Sequence, residues 1–352
     1  MPNANSTVAV TPRKRTGVSG GKGEPETLYI HTDDDWRLAL HHWPQAPVTR
    51  RHPVLMVHGF GANRLTFDFD KRYSLARALR RQGFAVYILE LRGAGFSQAP
   101  GGRDRTRFQW GFHEYSTYDV PAAIAAVLER SGVDALHGVG HSMGGMLMYA
   151  QGVRRTGVLR SIISVGSPLI SDLNLGIREK RLLQLATSIA PSSVQRRVPL
   201  RRLVGAAGIF IPLTSRLADG LFLNSDNTEA EVLARYIKDG ITDVPLQLVM
   251  EMTRHMAHGK RAKGDTSPYA YEERLAEIDV PVLAFGGAAD RVAPAASVRA
   301  AVARLAPPYL AYRELAERFG DVADYGHMDL ILGRRAPEEV FPLILDFLRE
   351  MD

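Results

Sequence analysis

Acyl transfer needs a nucleophile, a base and a group to orient the base, and three residues of this chain are spaced to supply them. Ser142 stands in Gly140-His141-Ser142-Met143-Gly144, a G-x-S-x-G pattern. An apolar run from Ala135 leads into it, and the helix-like Met146 to Gln151 follows. A sharp strand-to-helix turn at that point forces its central residue into a strained conformation, and flanking glycines leave room for the chains that crowd it. The Ser142 hydroxyl would then project from the carboxyl edge of a sheet, while the Met143 amide, at a helix start, points toward a developing negative charge. A serine hydroxyl is too weak a nucleophile unaided. Imidazole can take and return its proton near neutral pH, and a carboxylate can fix the ring's tautomer.

His327, in Tyr325-Gly326-His327-Met328-Asp329, follows the last predicted strand and precedes the final helix, and it is the predicted base. Asp290 is the predicted acid: it comes just past the strand Val282 to Phe285, after glycines that leave it space to reach back. Asp324 and Asp329 lie nearer His327 in sequence and stand as alternatives. His141 is expected to be a packing neighbour, because adjacent side chains in a tight turn point apart. His31, His41, His42, His113, His255 and His258 read as structural or surface residues.

The elements that must position these groups show in the hydropathy pattern. Leu28 to His31 and Trp36 to Leu40 flank the turn Thr32 to Asp35 and predict a β-hairpin. Short apolar runs at Val54 to Val57, Ala85 to Leu89, Ala135 to Gly140 and Ser161 to Val165 alternate with helical patterns at Ser74 to Gln82 and around Ile124 to Leu128. Strand, helix, strand repeated in this way predicts a mostly parallel sheet with helices on both faces. From 169 to 277 the rhythm breaks into helix-like segments, and it resumes at Val280. The expected division is a flexible basic tail over 1–25, a first core portion over 26–168, an inserted, mainly helical cap over 169–277 and a second core portion over 278–352.

Composition bounds the function classes. Of 352 residues, 45% are hydrophobic and 23% charged, the balance of an ordinary globular chain. The net charge of +6 is concentrated in residues 1–23, where Arg13, Lys14, Arg15 and Lys22 meet no acid, so the rest of the chain carries only +2. A nearly balanced body argues against a nucleic-acid partner. Zero cysteines remove disulfides, thiolate metal sites and a thiol nucleophile together. With no run of about eighteen apolar residues and no apolar signal segment, a cytoplasmic protein without membrane insertion is expected, peripheral membrane contact being compatible with the arginines at 196–202.

Together these residues resemble the α/β-hydrolase superfamily from about Leu28 to Asp352, with weak similarity in the cap. Leu91-Arg92-Gly93-Ala94-Gly95-Phe96-Ser97 is similar to the family's R-G-x-G-x-S loop, and Tyr118-Asp119-Val120-Pro121 resembles the acid-lipase-like esterases. The resemblance implies the α/β-hydrolase fold, the chain order Ser142, Asp290, His327, and an oxyanion hole from the amides of Phe60, in His58-Gly59-Phe60-Gly61, and Met143. It implies a small-molecule ester or acyl substrate and neither cofactor nor metal; no H-E-x-x-H pattern appears. The layout also resembles polyhydroxyalkanoate synthases, which carry cysteine at the elbow, while haloalkane dehalogenases and most epoxide hydrolases carry aspartate there; serine argues against all three.

The expected activity is hydrolysis of carboxylic esters through an acyl-enzyme on Ser142. An acyltransferase, thioesterase, perhydrolase or carbon–carbon bond hydrolase could use the same groups, and a non-catalytic protein binding a small apolar ligand is the rival from another class. Leu203 to Leu213 and Leu246 to Met252 could line an acyl pocket or belong to ordinary core. Acyl and alcohol specificity and oligomeric state stay open.

Overall fold

The computed structural model describes residues 25–43, 50–100, 108–169, 197–208, 223–258 and 268–352. Nearly all of the expected basic tail, and three stretches of the expected cap, lie outside these residues. Within them β1 (Glu26–His31) and β2 (Arg37–Trp43) form the expected antiparallel hairpin, followed by β3 (Val54–Val57), β4 (Val86–Glu90), β5 (Leu136–His141) and β6 (Leu159–Val165). Two two-residue strands, β7 (Arg197–Val198) and β8 (Val244–Pro245), pair with each other in the insertion, where no strand is expected from the sequence. β9 (Val282–Gly287) and β10 (Leu310–Leu315) complete an eight-stranded sheet among the described residues, ordered β1-β2-β4-β3-β5-β6-β9-β10. From β4 to β10 all neighbours are parallel.

Period-two alternation decides which residues face which layer. Leu55, Val57, Tyr87 and Leu89 belong to one apolar core, and Val54, Met56, Val86 and Ile88 to the other. Both faces are buried, which is why these strands read as continuous apolar runs. The first core takes Val120, Ile124 and Val127 of helix Val120–Ser131; the second takes Leu75 and Leu79 of Leu75–Arg81 and Ile344, Phe347 and Leu348 of Phe341–Met351. Ser74 caps the Leu75–Arg81 helix by accepting from the Arg77 amide, and Gly132, in the left-handed region, ends Val120–Ser131.

The insertion between β6 and β9 contains helices Leu200–Gly208, Ala230–Arg235 and Leu246–His258. Tyr269, Tyr271, Leu275 and Ile278 are buried in the first core, and Phe112 stacks on both tyrosine rings. Their side chains pack into the first core, which the insertion therefore helps to cover. Leu248 is fully buried there too, whereas Leu203 is exposed; residues 209–213 lie outside the described residues. No helix of the described residues is long and apolar enough to cross a membrane.

Candidate active site

β5 ends at His141, and Ser142 takes φ 56°, ψ −123° before helix Met143–Gly152 begins. A positive φ in a residue with a Cβ is strained, and it persists only where surroundings over-determine it. The surroundings do so here. The Ser142 amide extends the β5–β6 ladder by donating to the Val165 carbonyl at 2.8 Å. A Cβ on Gly140 would collide with the Gly144 and Gly145 backbone, and one on Gly144 with the Val57 carbonyl, so both glycines of the motif are required by close approach. Ser142 itself is half-buried.

At the ends of β9 and β10 the structure brings Asp290 and His327 together. His327 Nδ1 donates to Asp290 Oδ2 at 2.8 Å, which leaves the lone pair on Nε2. Asp290 Oδ1 accepts from the Val292 and Ala293 amides at 2.9 and 2.7 Å, so the carboxylate is held at both oxygens. The two alternatives are engaged elsewhere. Buried Asp329 accepts from the Gly326 and Asn224 amides and from Asn227, burial pushes it up to about 6, and Asp324 accepts from the Glu317 amide.

Beside Ser142 lies the turn after β3: a Cβ placed on Gly59 would sit 2.9 Å from the Ser142 Cβ. The Phe60 amide takes no hydrogen-bond partner among the described residues, and Met143, as the first residue of its helix, has none within it. Two orphan donors flanking a serine can stabilise an oxyanion.

Two further histidines, expected to be bystanders or given no role, hold this geometry. His141 Nε2 donates to the His327 carbonyl at 3.0 Å, and burial, with the nearby His327, pushes the His141 ring down to about 3. It is a positioning residue, more than the packing neighbour expected. His58 Nε2 accepts from the Leu91 amide at 3.2 Å, so Nδ1 carries the proton and donates to the Gly59 carbonyl at 2.9 Å. Burial keeps that ring neutral.

The insertion grips the same turn. The Thr242 amide donates to the Gly61 carbonyl at 2.8 Å, Thr242 Oγ1 to the Ala62 carbonyl at 3.2 Å, and Asn63 Nδ2 to the Asp239 carbonyl at 2.7 Å. Polar residues of a long insertion carry no periodic signal, so nothing in the sequence marks Thr242. A cavity of about 860 Å³ lies on the other side of this turn, with Arg64, Glu90, Phe96 and Thr242 in its wall. Ser142, Asp290 and His327 do not line it, and hydrogen-bond geometry rather than cavity volume marks the site.

The two scaffold motifs meet below. Arg92 is buried, with Nε on Asp119 Oδ1 at 2.7 Å and its two terminal nitrogens on Asp34 at 2.6 and 2.9 Å. The paired carboxylates hold Arg92 above its usual range despite burial. Removing Arg92 would leave Asp119 buried and unpaired, a loss of about 3–5 kcal/mol. Ser97 Oγ closes the loop by donating to the Glu90 carbonyl at 2.6 Å.

Comparison with known proteins accords with this arrangement. The family model described as "alpha/beta hydrolase fold" matches residues 52–333. Lipase lipl-3 of Caenorhabditis elegans is 23% identical over 92% of this chain and 89% of its own, and lipase member N of Mus musculus is 22% identical over 93% and 88%. A crystal structure of Paleococcus ferrophilus monoacylglycerol lipase superposes with a TM-score of 0.60 at 18% identity, covering 90% of this chain and 99% of that one. The sheet order, the strained serine between strand and helix, and the family match over most of the chain have one meaning: this protein belongs to the α/β-hydrolase family.

Proposed function

We propose that the protein is a carboxylic ester hydrolase in which Ser142, His327 and Asp290 form the catalytic triad and the amides of Phe60 and Met143 form the oxyanion hole. The observation that carries the reading is the strained Ser142 at the head of a helix, with an Asp290–His327 pair oriented to leave Nε2 free. Family membership and lipase relatives support the ester substrate class.

The steps follow from the donors and acceptors. His327 Nε2 accepts the hydroxyl proton as Ser142 Oγ bonds to the ester carbonyl carbon, and the carbonyl oxygen takes the negative charge between the two amides. Collapse breaks the bond to the alcohol oxygen, which leaves with the proton from His327. Water then attacks the acyl-enzyme, giving a proton to His327; collapse returns it to Ser142 and releases the acid. Asp290 stays ionised and stabilises the imidazolium formed in each half-reaction. The described part of the insertion, 197–208 and 223–258, acts as a cap over this edge, and Thr242 ties it to the oxyanion turn.

Labelling tests the assignment. A fluorophosphonate should modify the folded protein once, and peptide mass spectrometry should map the adduct to Ser142. An adduct on another serine, or none while the protein turns over esters, would contradict it.

A further inference from the structure

At the opposite, amino edge of the sheet three chain segments converge on a second cluster. His52 precedes β3, His137 is the second residue of β5, and Asp352 follows the Phe341–Met351 helix. His137 is fully buried, and the side chains of His52 and Asp352 are each only 7% exposed. Five residue steps along β5 take the chain from His137 to Ser142, a distance of about 16 Å at 3.3 Å per residue. The cluster therefore stands apart from the proposed active site.

His137 Nδ1 is engaged with Ser161 Oγ at 2.8 Å, but its Nε2 has no hydrogen-bond partner among the described residues. The nearest charged atom before it is Asp352 Oδ1 at 3.6 Å, beyond hydrogen-bond length. A buried imidazole nitrogen left unmet keeps its desolvation cost with nothing to offset it. Asp352 Oδ1 also lies 3.2 Å from His52 Nδ1 and accepts the His52 amide at 2.9 Å, while Oδ2 accepts the Arg51 amide at 3.1 Å. The two amides fix the carboxylate and leave Oδ1 one lone pair facing both rings.

His52 Nδ1 is within hydrogen-bond reach of Asp352 Oδ1 and His137 Nε2 is not, and both spacings suit a shared ion. Bonds of about 2.0–2.1 Å at tetrahedral angles put ligand atoms of one zinc ion about 3.3 Å apart; the separations here are 3.2 and 3.6 Å, and one atom from each residue falls within 4.8 Å of the others. The Ser161 hydroxyl on Nδ1 is the outer partner that orients a ligating histidine. Arg160, the neighbouring cation, is turned to the Met351 carbonyl at 2.7 Å.

We propose that His52, His137 and Asp352 bind one divalent transition-metal ion, zinc by its preference for two imidazoles and a carboxylate, with water as fourth ligand. Bound there, the ion pins the end of the last helix to the starts of β3 and β5 and raises stability without entering the hydrolytic chemistry.

The test uses the full chain stripped with a chelator and titrated with Zn²⁺ by calorimetry in a non-coordinating buffer. One equivalent should bind, the Tm should rise and level off at that stoichiometry, and His137→Gln and Asp352→Asn should each weaken binding at least tenfold while ester hydrolysis is unchanged. Absence of saturable binding to the wild type, or both variants binding as it does, would overturn the proposal. Should a variant fail to fold by circular dichroism, Co²⁺ bound to the wild type decides: the intense visible bands of a four-coordinate ion support the site, and the weak bands of the six-coordinate aquo ion refute it.

Discussion

Ser142, His327 and Asp290 at the carboxyl edge of the sheet have a counterpart in residue type at its amino edge, where Ser161, His137 and Asp352 come together. The resemblance ends at geometry. Ser161 sits within β6, opposite His137 in the parallel ladder, fully buried and without strain, whereas Ser142 leaves its strand at φ 56° and is only half-buried. In the upper set the carboxylate holds Nδ1 and leaves Nε2 for a hydroxyl; in the lower set the hydroxyl takes Nδ1 and the carboxylate stands off Nε2 at 3.6 Å. Among the described residues the amides of Phe60, next to Gly59, and of Met143, next to Ser142, take no backbone partner. On the proposed assignment, hydrolytic power lies in the strain, access and amides around Ser142, and the same side-chain types packed in a ladder are left to the structural or metal-binding role proposed for them.

That contrast can be broken or sharpened by substitution. The largest effect after removal of the nucleophile is expected for Asp290→Asn, which keeps the shape but loses the charge that selects the tautomer: kcat should fall by about 10⁴, read with nitrophenyl esters. Thr242→Val removes the hydrogen bond from its hydroxyl to the oxyanion turn and spares the one from its amide. The expected result is a fall in kcat of about fivefold with little change in KM, since about 1 kcal/mol of positioning acts on the transition state more than on ground-state binding. An equal rise in KM would assign Thr242 to the substrate pocket instead.

His141 gives a pH-dependent test. Its folded pKa, about 3, lies below the ordinary 6.5, so the unfolded chain binds a proton that the folded one refuses. The stability associated with the neutral ring is complete above 6.5 and declines as pH falls toward 3. Wild type should lose about 2 kcal/mol more than His141→Asn between pH 8 and pH 5 in urea unfolding. Parallel losses would show that His141 is not held neutral. The smallest effect belongs to the lower set: Ser161→Ala should cost about 1 kcal/mol of stability and leave kcat within about twofold.

Much of the upper set was legible because it rests on local patterns. The apolar runs at Val54, Ala85, Ala135 and Val282 report burial on both faces, and glycines at 140 and 144 report close approach. The hairpin, the parallel order and the meeting of Asp290 with His327 follow from such signals. Other parts had no local trace. His141 reaches the His327 carbonyl across 186 positions, and Thr242 reaches carbonyls of a turn some 180 residues away; a side chain bonded to distant backbone looks like any polar residue in sequence. Tyr269, Tyr271 and Leu275 fall in the stretch expected to be cap, where no strand rhythm reports burial, yet their side chains pack into the first core. His52, His137 and Asp352 converge only because the last helix returns to the starts of β3 and β5.

The most direct measurement compares wild type, Ser142→Ala and Ser161→Ala on nitrophenyl esters of short, medium and long acyl chains, each protein first shown to be folded. Wild type and Ser161→Ala should turn over the same esters at similar rates, with Ser142→Ala reduced by at least about 10⁴. Turnover by Ser142→Ala near the wild-type rate, or its loss in folded Ser161→Ala, would contradict the assignment of hydrolysis to the strained serine.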